Sequence, residues 1–168
     1  MLESDITVLA VKPQNYPEVL EALKPQVTDD KVFVSIAAGI SIEYVQNLLD
    51  CKCPVVRVMP NTPLLLGKGA SALCPSDNIS EEDKQIVYNM FAGSGVCEYI
   101  AEEHMNEIIS VNGSSPAYIY LFAKAMADYA QECGIDYDKA MILFVQLLRV
   151  RLKCLKRAAT VLIHSLKK

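Results

Sequence analysis

Three short runs of apolar, β-prone residues, each closed by a proline or a small-residue turn, constrain this chain more than any other feature. Ile6 to Val11 is continuous and turns at Lys12-Pro13, Val32 to Ile36 runs into Ala37-Ala38-Gly39, and Val55 to Met59 again ends at a proline. Between them, Tyr16 to Leu23 places Val19, Leu20 and Leu23 on one helical face. A second helix opening at Ser41 puts Ile42, Val45, Leu48 and Leu49 on its inner side. Strands without polar alternation are buried on both faces. Joined by amphipathic helices, they predict an α/β fold whose parallel sheet is covered by helices through right-handed crossovers.

The pattern then becomes less regular. Ser71 to Cys74 reads as a strand, Ser80-Glu81-Glu82-Asp83 as a capping box that starts a helix, and Val96 to Ile100 as a closing strand. Beyond Ala101 the strand signal stops. Glu102 to Val111 reads as a helix broken by Asn112-Gly113-Ser114-Ser115-Pro116, after which Ser115 as N-cap and Pro116 open a long helix to Cys133, stopped by Gly134. That helix is apolar on one broad side (Tyr118, Leu121, Phe122, Ala125, Met126, Tyr129), with Lys124, Asp128 and Gln131 as a narrow polar strip. Such a helix needs burial on more than one side, and a partner subunit is its natural cover.

With 52% hydrophobic and 21% charged residues among 168, the chain can bury a core, and no apolar run approaches the ~20 residues of a membrane span. No basic stretch precedes an apolar one at the N-terminus, so a cytoplasmic protein is expected. Six scattered cysteines, of which only Cys51 and Cys53 are close, do not make a zinc pattern and read as reduced thiols, so no metal is expected. The charge is split: residues 149–168 carry seven basic residues and no acid, whereas all 20 acids lie before them. His104, beside Glu103 and Glu107, reads as part of a solvated face, and His164 falls in the basic tail.

In an open parallel sheet, ligands sit beyond the carboxyl ends of the strands, where loops and helix N-termini gather. Three loops of this chain belong there: Lys12-Pro13-Gln14, Ala37-Ala38-Gly39 and Pro60-Asn61-Thr62-Pro63. The middle loop is nearly bare, so a flat ring can approach its backbone, while the proline-stiffened loops hold Lys12, Asn61 and Thr62. This reads either as a slot for a flat polar ligand with a phosphate or hydroxyl arm or as three ordinary turns with close helix packing. No G-x-G-x-x-G follows the first strand, and Gly67-Lys68-Gly69-Ala70 does not make one.

Four segments in order, Ala10-Val11-Lys12-Pro13-Gln14, Ser35-Ile36-Ala37-Ala38-Gly39-Ile40-Ser41, Arg57-Val58-Met59-Pro60-Asn61-Thr62-Pro63 and Gly113-Ser114-Ser115-Pro116-Ala117-Tyr118, closely resemble pyrroline-5-carboxylate reductase. The resemblance runs from about Asp5 to Phe144. It implies reduction of the cyclic imine 1-pyrroline-5-carboxylate to L-proline with a hydride from NADPH or NADH. It also implies a Rossmann cofactor domain and a helical domain that interleaves with a partner's in a homodimer or higher homo-oligomer. No nucleic-acid or membrane partner is expected. By carry-over, Ala10, Val11, Lys12, Pro13, Ile36, Ala37, Ala38 and Asn61 line the cofactor, and Gly113, Ser114 and Ser115 lie near the imine pocket. No catalytic residue is assigned. Asn112 stands where the family more often has Ser.

The expected layout is a partial Rossmann-like parallel sheet over residues 1–100, corresponding to the C-terminal half of a dinucleotide-binding domain. An all-helical dimerisation segment follows over 101–168, truncated, with an atypical basic tail from about 145. The family's first strand, its glycine-rich phosphate loop and two further strands precede the segment at which the resemblance starts. Its S-P-G-G substrate loop follows the segment at which the resemblance stops. Lys153-Cys154-Leu155-Lys156-Arg157-Ala158-Ala159 is what a one-base frame shift of the family's continuation would give, so a frameshift is one reading of the tail; a cationic amphipathic helix is another. Weak or absent turnover is expected. A non-catalytic chain that pairs with a full-length reductase through the Ser115 to Cys133 helix is the alternative, and a degraded gene product without a role is a third.

Overall fold

The computed structural model describes residues 4–149. Its regular elements are β1 (Ile6–Leu9), α1 (Tyr16–Leu23), β2 (Val32–Ser35), α2 (Ile42–Leu49), β3 (Val55–Met59), β4 (Gly69–Pro75), α3 (Glu81–Ala92), β5 (Gly95–Tyr99) and α4 (Ser115–Glu132). The helix spans of α1 and α2 and the β3 span follow the sequence periodicity closely. Contacts divide the chain after Pro116 into two compact units.

In the first unit, five strands form one sheet in the order β1-β2-β3-β4-β5. β1, β2 and β3 run parallel, with Leu9 beside Ser35 and Ser35 beside Arg57. β4 runs antiparallel to β3, and β5 parallel to β4. The parallel reading is therefore corrected at β4. The connection from β3 carries only the five-residue 3-10 turn Thr62–Leu66, and a parallel return needs a crossover of a dozen residues or more.

Every residue of β2 and β3 is buried, as their unbroken apolar runs require. One face of the sheet packs Phe33, Val55 and Met59 against Tyr16 and Leu20 of α1 and Val45 and Leu49 of α2. The other packs Val32, Val34, Val56, Val58 and Leu73 against Val87 of α3. Ser41 caps α2 by accepting the Tyr44 N–H at 3.0 Å. Ser80 caps α3 by accepting the Asp83 N–H at 3.0 Å, and its hydroxyl donates to the Asp83 carboxylate at 2.6 Å.

Residues 102–113 do not form the predicted continuous helix. A 3-10 turn (Glu102–His104) is followed by a π-helical turn (Ile109–Gly113). Tertiary contacts override the local pattern here: Met105 is buried, Ile108 and Ile109 pack on the core, and Glu102 is held by a charge from the sheet. His104 is exposed in the 3-10 turn.

The second unit contains α4 beyond Pro116 and a further helix over 137–149. Phe122 and Phe144 meet edge to face with centroids 5.2 Å apart, while Ala123 and Ala127 are buried. Lys124 pairs with Asp128 at 2.6 Å along the predicted polar strip. After Glu132 the chain turns through Gly134 at φ +84°, with the Ile135 N–H bonding back to the Ala130 carbonyl at 2.9 Å. Tyr118, Leu121, Phe122, Met126 and Tyr129 are exposed. Among the described residues no helix is long and apolar enough to cross a membrane. Residues 145–149 of the expected tail belong to this last helix; the rest of the basic tail, His164, and the frameshift and amphipathic-helix readings lie outside the described residues.

Candidate functional site

The register of the parallel strands decides where the predicted loops go. Leu9, Ser35 and Arg57 sit side by side, and the Ile36 N–H donates to the Leu9 carbonyl at 3.5 Å. The turns after β1, β2 and β3 therefore leave the same edge of the sheet. Ala10, Lys12, Pro13 and Ala38 are exposed there, Val11, Ile36 and Asn61 are half-buried, and Ala37 is buried. Two strand spacings, roughly 10 Å, separate the β1 exit from the β3 exit, with Ala37-Ala38-Gly39 between them. Gly39 adopts φ +75°, and a Cβ there would meet nothing within 4 Å. The backbone conformation requires glycine, and the space in front of it is open.

Tyr16 fixes two of the three exits. Its buried hydroxyl donates to the Leu9 carbonyl at 3.1 Å and shares a hydrogen bond with Ser35 Oγ at 2.8 Å. Burial raises its pKa, so the phenol stays neutral. Lys12 opens the 3-10 turn Pro13–Asn15, and its carbonyl accepts the Asn15 N–H at 2.9 Å.

The third exit is tied to the π-helical turn. Asn61 Oδ1 accepts the Ala70 N–H at 2.9 Å, Asn61 Nδ2 donates to the Asn112 carbonyl at 3.4 Å, and Asn112 Nδ2 donates to the Met59 carbonyl at 2.6 Å. A Cβ on Gly113 would lie 3.6 Å from Met59 Sδ. These contacts bring Gly113, with Ser114 next in the chain, beside the β3 exit, while Ser115 opens α4. Asn61 thus braces the loop with both ends of its amide. Asn112 supplies two of the links. The sequence signal for this was present, since Asn112 precedes a glycine at the end of an apolar segment, but its partner Met59 lies far away in the chain.

Arg57 and Glu102 were not singled out from the sequence, yet they set the electrostatics of this region. Arg57 is only 5% exposed on β3. It donates to Glu102 Oε1 at 3.0 Å and to Asn106 Oδ1 at 3.2 Å. The same Glu102 oxygen accepts the Ile42 N–H at 2.8 Å, at the first residue of α2. The detectable signal was a charge inside Val-Val-Arg-Val-Met, because a cation in a buried strand requires a buried partner. One consequence is chemical: a carboxylate already occupies the α2 N-terminus, and an incoming phosphate would meet like charge there.

A cavity of about 880 Å³ lies elsewhere, between α2, the end of β4 and the segment after β5, and is lined by Gln46, Lys52, Asp77, Asn78, Tyr99 and Glu103 among others. A smaller apolar one of about 150 Å³ adjoins Asn112 and is lined by Ala70, Ala72, Val96, Ile100 and Ile108. Among the described residues no three His, Cys, Asp or Glu side chains cluster to hold a metal ion.

Comparison with known proteins adds to this geometry. The family model for pyrroline-5-carboxylate reductase dimerisation matches residues 102–167, past Phe144, and the model for NADP oxidoreductase, coenzyme F420-dependent, matches residues 1–39. A pyrroline-5-carboxylate reductase of Methanosarcina acetivorans is 38% identical over 144 residues, which are 86% of this chain and 53% of that protein. One of Escherichia coli is 38% identical over 137 residues, 82% of this chain and 51% of that protein. Among solved structures, a Plasmodium falciparum pyrroline carboxylate reductase with NADP bound superposes with a TM-score of 0.86 at 32% identity, over 90% of this chain and 58% of that one. The Streptococcus pyogenes enzyme gives 0.84 at 30% identity, over 92% and 58%. The chain spans about half the length of the curated relatives it matches.

Proposed function

We propose, on the premise that the chain belongs by sequence and fold to the pyrroline-5-carboxylate reductase family, that its three adjoining strand exits form the nicotinamide half of an NAD(P)H site. The reaction served is reduction of 1-pyrroline-5-carboxylate to L-proline in the cytoplasm, in a homodimer or higher homo-oligomer. The observation that carries this is the shared edge: a bare Ala37-Ala38-Gly39 backbone flanked by Lys12 on one side and Asn61 on the other. When bound, a reduced nicotinamide would supply the hydride for the imine carbon. The protein's part is positioning. Ala10, Val11, Lys12 and Pro13 would line one side of the ring and ribose, and Ile36, Ala37 and Ala38 would let a flat ring lie on the backbone. Asn61, braced to Asn112, holds the third exit in register with Gly113, Ser114 and Ser115 on the imine side.

The residues present suit the nicotinamide end and not the phosphates. Among the described residues no glycine-rich turn follows β1, and Glu102 holds the α2 N-terminus. Forgoing two charge-assisted hydrogen bonds at about 1.5 kcal/mol each weakens cofactor binding on the order of 100-fold. The chain alone is therefore expected to bind NADPH weakly and to turn over slowly or not at all. Imine-dependent NADPH oxidation by the purified chain tests this. Activity comparable to a full-length relative's would refute the half-site reading.

The exposed apolar side of α4 favours a second reading, a non-catalytic chain that pairs with a full-length reductase. Co-purification of the two without added activity would support it.

A further inference from the structure

The cavity beside α2 lies apart from the three strand exits, and its lining is of two kinds. It follows the helix from Ile42 at the first turn to Lys52 beyond the last, about 12 Å at the rise of an α-helix. Its volume of about 880 Å³ falls within the span of ligand clefts, roughly 300–1,000 Å³. Ile42, Pro75, Ile100 and Ala101 supply apolar wall, with the Cys74 thiol, 5% exposed, set among them. Along that wall the free polar atoms are mostly acceptors. Gln46 Nε2 donates to the Cys53 carbonyl at 2.9 Å and Asn78 Nδ2 to the Lys52 carbonyl at 2.7 Å, so each amide keeps its oxygen free among the described residues. Glu102 commits one carboxylate oxygen to Arg57 and the Ile42 N–H and leaves the other. Asp77, Glu103 and Lys52 are exposed at the rim, and none has an ion-pair partner among the described residues. The carboxylates converge on Cys74: burial pushes its thiol up, Glu102 adds to the rise, Arg57 opposes it, and Asp77 and Glu103 add further.

We propose that this cavity binds a linear aliphatic polyamine, its ammonium groups on the Glu102–Glu103 and Asp77 carboxylates and its methylenes against Ile42, Pro75 and Ile100. The inference is independent of the reductase reading. Phosphates and carboxylates would bring acceptors to a lining short of donors, and like charge to three carboxylates. An alkylammonium carries donors alone and makes charge-assisted bonds to carboxylates. Its methylenes suit an apolar wall as a lysine stem does. A bare metal ion does not fit, since among the described residues no three His, Cys, Asp or Glu side chains close on one point. A monoamine would occupy one end of a cavity that runs the length of α2.

Titration calorimetry of the purified chain with spermidine tests this. One spermidine per chain is expected, bound at least tenfold more tightly than butylamine and weakened by added salt. Asp77→Asn and Glu103→Gln, both at exposed positions, should each weaken binding about threefold, the size of an exposed ion pair, with the thermal melt unchanged. Lys52→Met removes the cation of the lining and should tighten spermidine binding. Should a variant misfold, NMR of the unmodified chain decides: the side-chain amide signals of Gln46 and Asn78 should shift during the titration, and shifts confined to other residues overturn the proposal. No saturation at millimolar spermidine overturns it as well. So does binding that both carboxylate variants leave unchanged, which is attraction to the net negative charge alone. Inorganic phosphate binding more tightly than spermidine, or a loss of spermidine affinity in Lys52→Met, assigns the cavity to an anion and likewise overturns the proposal.

Discussion

Arg57 is the only charged side chain buried among the described residues, and its neighbourhood shows how one residue reaches across elements. It holds Glu102, and Glu102 in turn terminates α2, so strand, helix and the segment after β5 share one ion pair. Cys53 carries the opposite lesson, that of a neutral group kept neutral. Burial pushes its thiol up to about 12 from 9.0, with Cys51 adding to the effect. The folded chain therefore holds this proton more tightly than the unfolded one. Its contribution is complete below pH 9 and is lost as pH rises from there toward 12. Chemical denaturation between pH 9 and 11 should show stability falling with pH, and Cys53→Ala should make that slope shallower. An unchanged slope would remove Cys53 as its source.

At the scale of elements, the β4–β5 pair depends on two glycines that face each other in the ladder. A Cβ on Gly95 would lie 2.0 Å from the Gly69 carbonyl oxygen, and one on Gly69 would lie 2.7 Å from Leu64 Cβ. Both neighbours are fixed by the sheet or the 3-10 turn and cannot give way as a flexible side chain would. Gly95→Ala is therefore expected to cost about 3 kcal/mol or more, read as a lower urea midpoint with an unchanged m-value. A loss below about 0.5 kcal/mol would mean that the strands are not this close. The elements also show where periodicity suffices. α1, α2 and β3 were legible because their apolar spacing and caps are local. The stretch over 102–113 was not, because its helix-like pattern yields to Arg57, which holds Glu102, and to a core that takes Met105. The reversal at β4 was invisible for a related reason: strand direction follows from connection length and packing, and neither is written in the strand's own residues.

For the whole molecule, the surface that matters most is apolar. Tyr118, Leu121, Phe122, Met126 and Tyr129 lie exposed along α4, on the side read from the sequence as needing cover. If a second copy covers it, Leu121→Lys places an unpaired charge in that interface and should weaken self-association at least tenfold, or about 1.4 kcal/mol. Sedimentation at micromolar concentration reads this as a shift from dimer to monomer, and an unchanged dimer would locate the interface elsewhere. The amino-acid sequence by itself determined most of the strands and helices, the caps at Ser41 and Ser80, the short turns after β1, β2 and β3 and the over-apolar α4, because each depends on residues near one another in the chain. Only the tertiary structure decided that Asn61 and Asn112 brace one turn against another, that Glu102 closes the end of α2, and that β4 reverses. Those outcomes are set by partners dozens of residues away, and which of them meet is fixed by close packing and the cost of leaving buried polar groups unpaired.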